Sequence, residues 1–274
     1  MSHFTVGIIT RDEPTLSDIT FILEPFDENK EVRHIITKQK IIDEVRRDIT
    51  DYANSSYKEY LTNPEEYVKK YGSNENHIKY ITEEFPQKLN WTDEECYLDG
   101  IKYYEQENIL PNGDIISHYN PLSKWDWWEV GGRWNGLIQT SHGAVNKSPV
   151  SDITNLFDEK IYKNAIRYWE LKVEEREQNE EDKEFLKDYH DFWNKEYYLT
   201  YYGDKETYAK CQATFSTYAY IDIYGEWHGK GDMGWWGMSN QEEDAEAKWA
   251  VSYAQMLEEA KANGYWLTIV DCHI

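Results

Sequence analysis

Both ends of the chain alternate as β-strands, and this constrains the fold more than any other feature. In residues 3–9, HFTVGII, a period of two puts Phe4, Val6 and Ile8 on one face and His3, Thr5 and Gly7 on the other. In the closing YWLTIVDCHI the same period groups Leu267, Ile269, Asp271 and His273. Before it, ATFSTYAYIDIYGEWHG reads as a further strand and QEEDAEAKWAVSYAQMLEEAKANG as a helix closed by Gly264. The expectation is an α+β fold: a small sheet of N- and C-terminal strands, arranged like a split βαβ unit and backed by the 241–262 helix, with a large helical excursion between them.

That excursion has internal structure of its own. Ile41, Ile42, Val45 and Ile49 recur at helical spacing, Asn63-Pro64 starts a further helix, and Thr92 followed by three acidic residues reads as an N-cap. Pro111-Asn112-Gly113 between isoleucines suggests a hairpin. Residues 155–200 are helical and strongly acidic, with few apolar anchors. The predicted organisation is an α+β core from 1–36, 109–150 and 208–274, a helical layer at 37–108, and an acidic helical insertion at 151–207.

Charge narrows the possible partners. Against 29 basic residues stand 52 acidic ones, for a formal charge of -23, and a field of that sign repels polyanions. Direct nucleic-acid binding is therefore not expected. Mimicry of a phosphate backbone would need acidic residues at regular spacing, and none is seen. Cys96, Cys211 and Cys272 lack CxxC or finger spacing, and the opening MSHFTVGIIT turns polar too soon for a secretion signal, which together point to the cytoplasm. No run approaches the ~18 apolar residues that a membrane span needs.

If the terminal strands are neighbours, His3, Asp271 and His273 converge. One carboxylate with two imidazoles suits a divalent metal or an acid/base pair. Asp222, on a face with Tyr218, Tyr220 and Tyr224, would add a second carboxylate. The same residues also read as strand ends that simply meet water. The sequence lacks GxSxG, HExxH and P-loop patterns and has no strand-to-helix GxGxxG of the Rossmann kind, so no cofactor is assigned.

Two loops carry the remaining chemistry. SKWDWWEVGGRWNG places Trp125, Trp127, Trp128 and Trp134 around Gly131 and Gly132, which free Arg133 to offer a planar fork to a carboxylate, a phosphate or an acidic partner. GEWHGKGDMGWWG interleaves glycines with Trp227, His228, Asp232, Trp235 and Trp236, so that backbone can approach a ligand beside a wall of rings. Rings plus one arginine also describe a protein-binding hot spot, a homodimer seam, or a plug in the core.

Together, MSHFTV, the two Trp/Gly blocks and LTIVDCHI resemble a protein family found mainly in tailed-phage genomes and without an assigned activity. The motifs cover about a quarter of the chain, and the acidic 155–200 stretch lies outside the resemblance. The resemblance implies an accessory protein, made in the infected cell, that binds and inhibits a host factor such as a defence component through the Trp/Gly/Arg loops. The alternative is a metal- or His-dependent hydrolase, nucleotide-modifying enzyme or nucleotide sponge built on His3, Asp222, Asp271 and His273.

Overall fold

The computed structural model describes residues 2–72, 74–187, 189, 193–231 and 245–274. Two compact units are present: one formed by 1–30 with 122–274, the other by 31–121. Among the described residues no helix is long and apolar enough to cross a membrane.

The larger unit is organised by the terminal strands. β1 (His3–Thr10) pairs antiparallel with a C-terminal strand, Trp266–His273, over its whole length, from His3 opposite His273 to Thr10 opposite Trp266. The six central residues of each strand are buried, so both faces must be covered. One face packs Phe4, Val6, Ile8, Val270 and Cys272 against Ile19, Leu23 and Phe26. Ile19 and Leu23 come from the helix Leu16–Leu23, which starts at a capping box between Thr15 and Asp18. The other face packs Ile9, Leu267 and Ile269 against Trp249, Tyr253 and Leu257 of the helix Ala245–Ala262. Each fully buried aliphatic side chain here contributes about 1.5–3 kcal/mol relative to exposure.

The sheet is completed by short strands. In chain order, β2 (His34–Ile36) and β3 (Ile115–Ser117) belong to the smaller unit, whereas β4 (Trp127–Val130), β5 (Ile138–Thr140), β6 (Gly143–Val145), β7 (Lys147–Pro149), β8 (Ala219–Ile221) and β9 (Trp227–Gly229) join β1 and the C-terminal strand, β10, in the larger one. Sheet order is β4-β10-β1-β8-β9, with β7 also on β10 and β5 paired with β6 apart from the main sheet. β8 runs parallel to β1 while β10 runs antiparallel to it. The α+β class and the shared sheet of the two chain ends therefore hold; β8 and β10 run antiparallel to each other across β1, and the parallel pair on either side of the helix Ala245–Ala262 in the sequence is β9 and β10, with β8 and β1 between them in the sheet.

The acidic 151–207 stretch belongs to the larger unit. Its helices Glu159–Lys172, Glu180–Leu186 and Lys195–Tyr202 and the following Lys205–Ala213 share a cluster centred on Tyr168, Trp169, Tyr198 and Tyr208. The last two pack on the helix Ala245–Ala262. Its anchor is ionic as well as aromatic: Asp182, 1% exposed, takes Arg167 at 2.7 Å and Arg176 at 3.2 Å.

In the smaller unit, Ile41 and Ile42 of the helix Lys38–Tyr52 pack on Cys96 and Tyr97 of the helix Asp93–Gly100 and on Ile115. Thr92 caps the latter helix with Glu95 in a capping box. The Pro111-Gly113 turn forms, with Gly113 N donating to Leu110 O at 2.8 Å, but β3 pairs with β2. The unit consequently runs from 31 to 121, wider than the expected 37–108.

Candidate functional site

His3 and His273 stand directly opposite each other on β1 and β10, and Thr5 stands opposite Asp271. Adjacent same-face residues on one strand bring Asp271 within reach of His3: Nδ1 meets Asp271 Oδ1 at 2.8 Å. His273 has its own carboxylate, with Nδ1 at 2.5 Å from Asp126 Oδ1. An ionised carboxylate only accepts, so each Nδ1 carries the hydrogen and each Nε2 stays outside these two bonds. The two rings are edge-to-face, 5.0 Å between centroids and 71° between planes. Both are mostly buried, with side-chain exposures of 17% for His3 and 13% for His273.

Asp271 is 1% exposed, and a carboxylate so placed has to be hydrogen-bonded on both oxygens. The second oxygen, Oδ2, accepts from the backbone N–H of Arg133 at 3.0 Å. This explains the Gly131-Gly132 pair. Gly131 has φ +76° and Gly132 φ +49°, and a Cβ on Gly132 would lie 2.4 Å from Asp271 Cβ and 2.5 Å from its Oδ2. Only glycine lets the chain turn so closely over the carboxylate. Gly131 N donates to Ile269 O at 2.9 Å, pinning the turn to β10.

The turn leaves the Arg133 guanidinium exposed, with no hydrogen bond or ion pair among the described residues. Trp127, opposite His273 on β4 and 47% exposed, stands edge-on to His3 at 6.2 Å between ring centroids. The result is a pair of Asp-backed imidazoles with an exposed indole edge-on to one of them and the backbone of an exposed arginine at the carboxylate of Asp271. Cys272 alternates to the opposite face, where burial pushes its thiol well above the ordinary range, so it is not a nucleophile here.

The expected site residues divide accordingly. His3, Asp271 and His273 converge. Asp222 does not join them, because β8 is parallel to β1 and Ile221 already pairs with the far half of β1, at Ile8. Counting the six residues from His3 to Ile9 places Asp222 roughly 20 Å away along the strand. It pairs instead with His228, Oδ2 to Nε2 3.0 Å. Of the rings, Trp125 is a core residue whose indole N–H donates to Leu23 O at 3.2 Å. Trp128 and Trp227 pack against the same cluster, and Trp134 against the opposite one. Asp232, Trp235 and Trp236 lie outside the described residues.

Asp126 escaped the sequence reading. It sits in a run of tryptophans with no periodic signature, and its pairing with His273 depends on where β4 docks. The signal it did give was a lone carboxylate one residue before a strand that pairs with the His273 strand.

Comparison with protein-family models, with curated proteins and with solved structures returns no match.

Proposed function

We propose that the protein is a metal-independent acid–base enzyme that cleaves a small phosphodiester carrying a ring, with a nucleotide as the fitting class. The observation that carries this reading is the face-to-edge pair of imidazoles, each held at Nδ1 by its own aspartate. General acid–base catalysis of ester cleavage needs one group to take a proton and another to give one, and two such rings beside one centre supply both.

The balance is simple. One neutral ring takes the proton of the attacking hydroxyl at Nε2 as the new P–O bond forms. The other, entering protonated, gives its Nε2 proton to the leaving oxygen as the old P–O bond breaks. Water then returns the two rings to their starting states. Asp271 and Asp126 hold the Nδ1 hydrogens throughout, fixing tautomer and orientation. The Arg133 guanidinium would balance charge on the phosphoryl oxygens, and Trp127 would stack the ring of the substrate. A molecular charge of -23 favours a singly charged small substrate over a polymer.

The test is turnover of cyclic nucleotides and dinucleotides in the presence of a chelator, followed by His3→Ala and His273→Ala. A bell-shaped rate profile and losses of about 10²–10⁴-fold in each variant are expected. Absence of turnover across the panel, or undiminished turnover in both variants, rejects the reading. Inhibition of a host protein is the second reading, and the exposure of Trp127 and of Arg133, whose side chain has no partner among the described residues, favours it. In that case Trp127→Ala and Arg133→Ala weaken capture of a host protein, and His273→Ala leaves it intact.

A further inference from the structure

At the other end of β1, the β8–β9 hairpin gathers a second set of donors. Asp222, Glu226 and His228 each offer one ligand atom, and the three atoms lie within 4.8 Å of one another. The hairpin is well fixed: Tyr220 pairs with His228 and Ile221 with Trp227, Gly225 N donates to Asp222 O at 3.0 Å, and the His228 ring stacks on Tyr220 at 4.6 Å.

We infer that Asp222, Glu226 and His228 form a binding site for a first-row divalent transition cation, open on one side to the adjoining cleft. Asp222 Oδ2 and His228 Nε2, 3.0 Å apart in a hydrogen bond, lie close to the separation of roughly 3.4 Å that two neighbouring tetrahedral ligands show at bonds of about 2.1 Å, so a cation can replace the shared hydrogen with little movement. Carboxylate plus imidazole is a donor set suited to such ions. The remaining oxygen of Asp222 is held from behind, accepting from Tyr224 N at 2.9 Å and Glu226 N at 3.0 Å. That is the outer support that orients a ligating carboxylate.

The cleft beside the hairpin, about 310 Å³, is lined by Asp222 and His228 together with Glu259 and Gln255 of the helix Ala245–Ala262, and by Ile9 and Tyr265. It leaves room for water or a small oxygen ligand on the open side of the ion. The three donors span seven residues of one hairpin, so the site forms with the local turn.

The experiment is titration of the intact protein with Co²⁺, read by visible absorption, and displacement by Zn²⁺, read by calorimetry. One ion per chain is expected, with affinity lowered at least tenfold in both Asp222→Asn and His228→Gln. A His3→Ala, His273→Ala double variant retains the ion, which separates this site from the imidazole pair. Circular dichroism of each variant confirms folding. Binding weaker than millimolar, or unchanged affinity in Asp222→Asn and His228→Gln, overturns the inference.

Discussion

Asp271→Asn is the sharpest perturbation of the imidazole pair. The carboxylate presents one oxygen to His3 Nδ1 and the other to Arg133 N, whereas an amide has one oxygen and one NH₂. Arg133 N–H is a backbone donor and cannot change role, so the amide oxygen must face it. The NH₂ then points at His3, which has to present Nδ1 as an acceptor and carry its hydrogen on Nε2. Each bond falls from charge-assisted to neutral strength, a loss of about 1 kcal/mol apiece, or about 2 kcal/mol in all. At about 2–4 °C per kcal/mol for a unit of this size, the melting temperature drops by about 4–8 °C. Turnover falls much further, by about 10²–10⁴-fold, because a neutral ring with its hydrogen on Nε2 no longer accepts a proton there. Nitrogen-15 NMR of the imidazoles reads the tautomer directly, alongside calorimetry and rate measurements. A His3 ring that still carries its hydrogen on Nδ1 in the Asn variant, or turnover that drops no more than stability does, refutes the reasoning.

Gly132→Ala forces an L-residue to φ +49° and drives its Cβ into Asp271; the conformational and overpacking costs sum to about 2–5 kcal/mol, and an unchanged urea midpoint would show that the turn yields. Trp127→Ala, at an exposed position, is expected to raise KM with little change in melting temperature; a large stability loss would place the ring in the core instead. Burial raises the Asp182 carboxyl, but Arg167, the Asn179 backbone and Arg176 together more than offset this and hold it at about 2. The folded value thus lies below the unfolded 3.8, so the stabilisation is present above about pH 4 and disappears as pH falls toward 2; hydrogen exchange in 159–213 that stays flat across this window would contradict it. Cys272 is buried and its thiol raised, and burial pushes Cys211 up to about 11, so a disulfide reagent at pH 8 should leave Cys272 untouched until the protein unfolds.

The pairing of the chain ends was legible because both strands are long, alternate cleanly, and bury apolar residues on two faces. From that alternation alone, the shared face of His3, Asp271 and His273 followed. Asp222 was misplaced because periodicity tells which face a residue is on but not which end of the sheet, and the parallel direction of β8 decided the matter. Gly131 and Gly132 were correctly marked as permissive, yet their use is to lower a backbone N–H onto Asp271, with release of the Arg133 side chain as a by-product. Trp125 and Trp227 could not be sorted from Trp127 by sequence, since a ring is equally suited to a core and to a surface. The boundary of the smaller unit shifted because His34-Ile35-Ile36 is too short and too exposed to register as a strand.

β10 lies between β1 on one side and β4 and β7 on the other, and contributes both Asp271 and His273. During synthesis, then, β4 and β7 have no sheet partner until residues 266–273 have left the ribosome. The His3–Asp271 bond spans 268 positions, and closing a flexible loop of that length costs about 5 kcal/mol in chain entropy. Everything between must therefore collapse first and shorten the effective loop. Nascent chains stalled before this strand would expose Val6, Ile8 and the ring cluster around Phe26, making them chaperone clients that no full-length protein resembles.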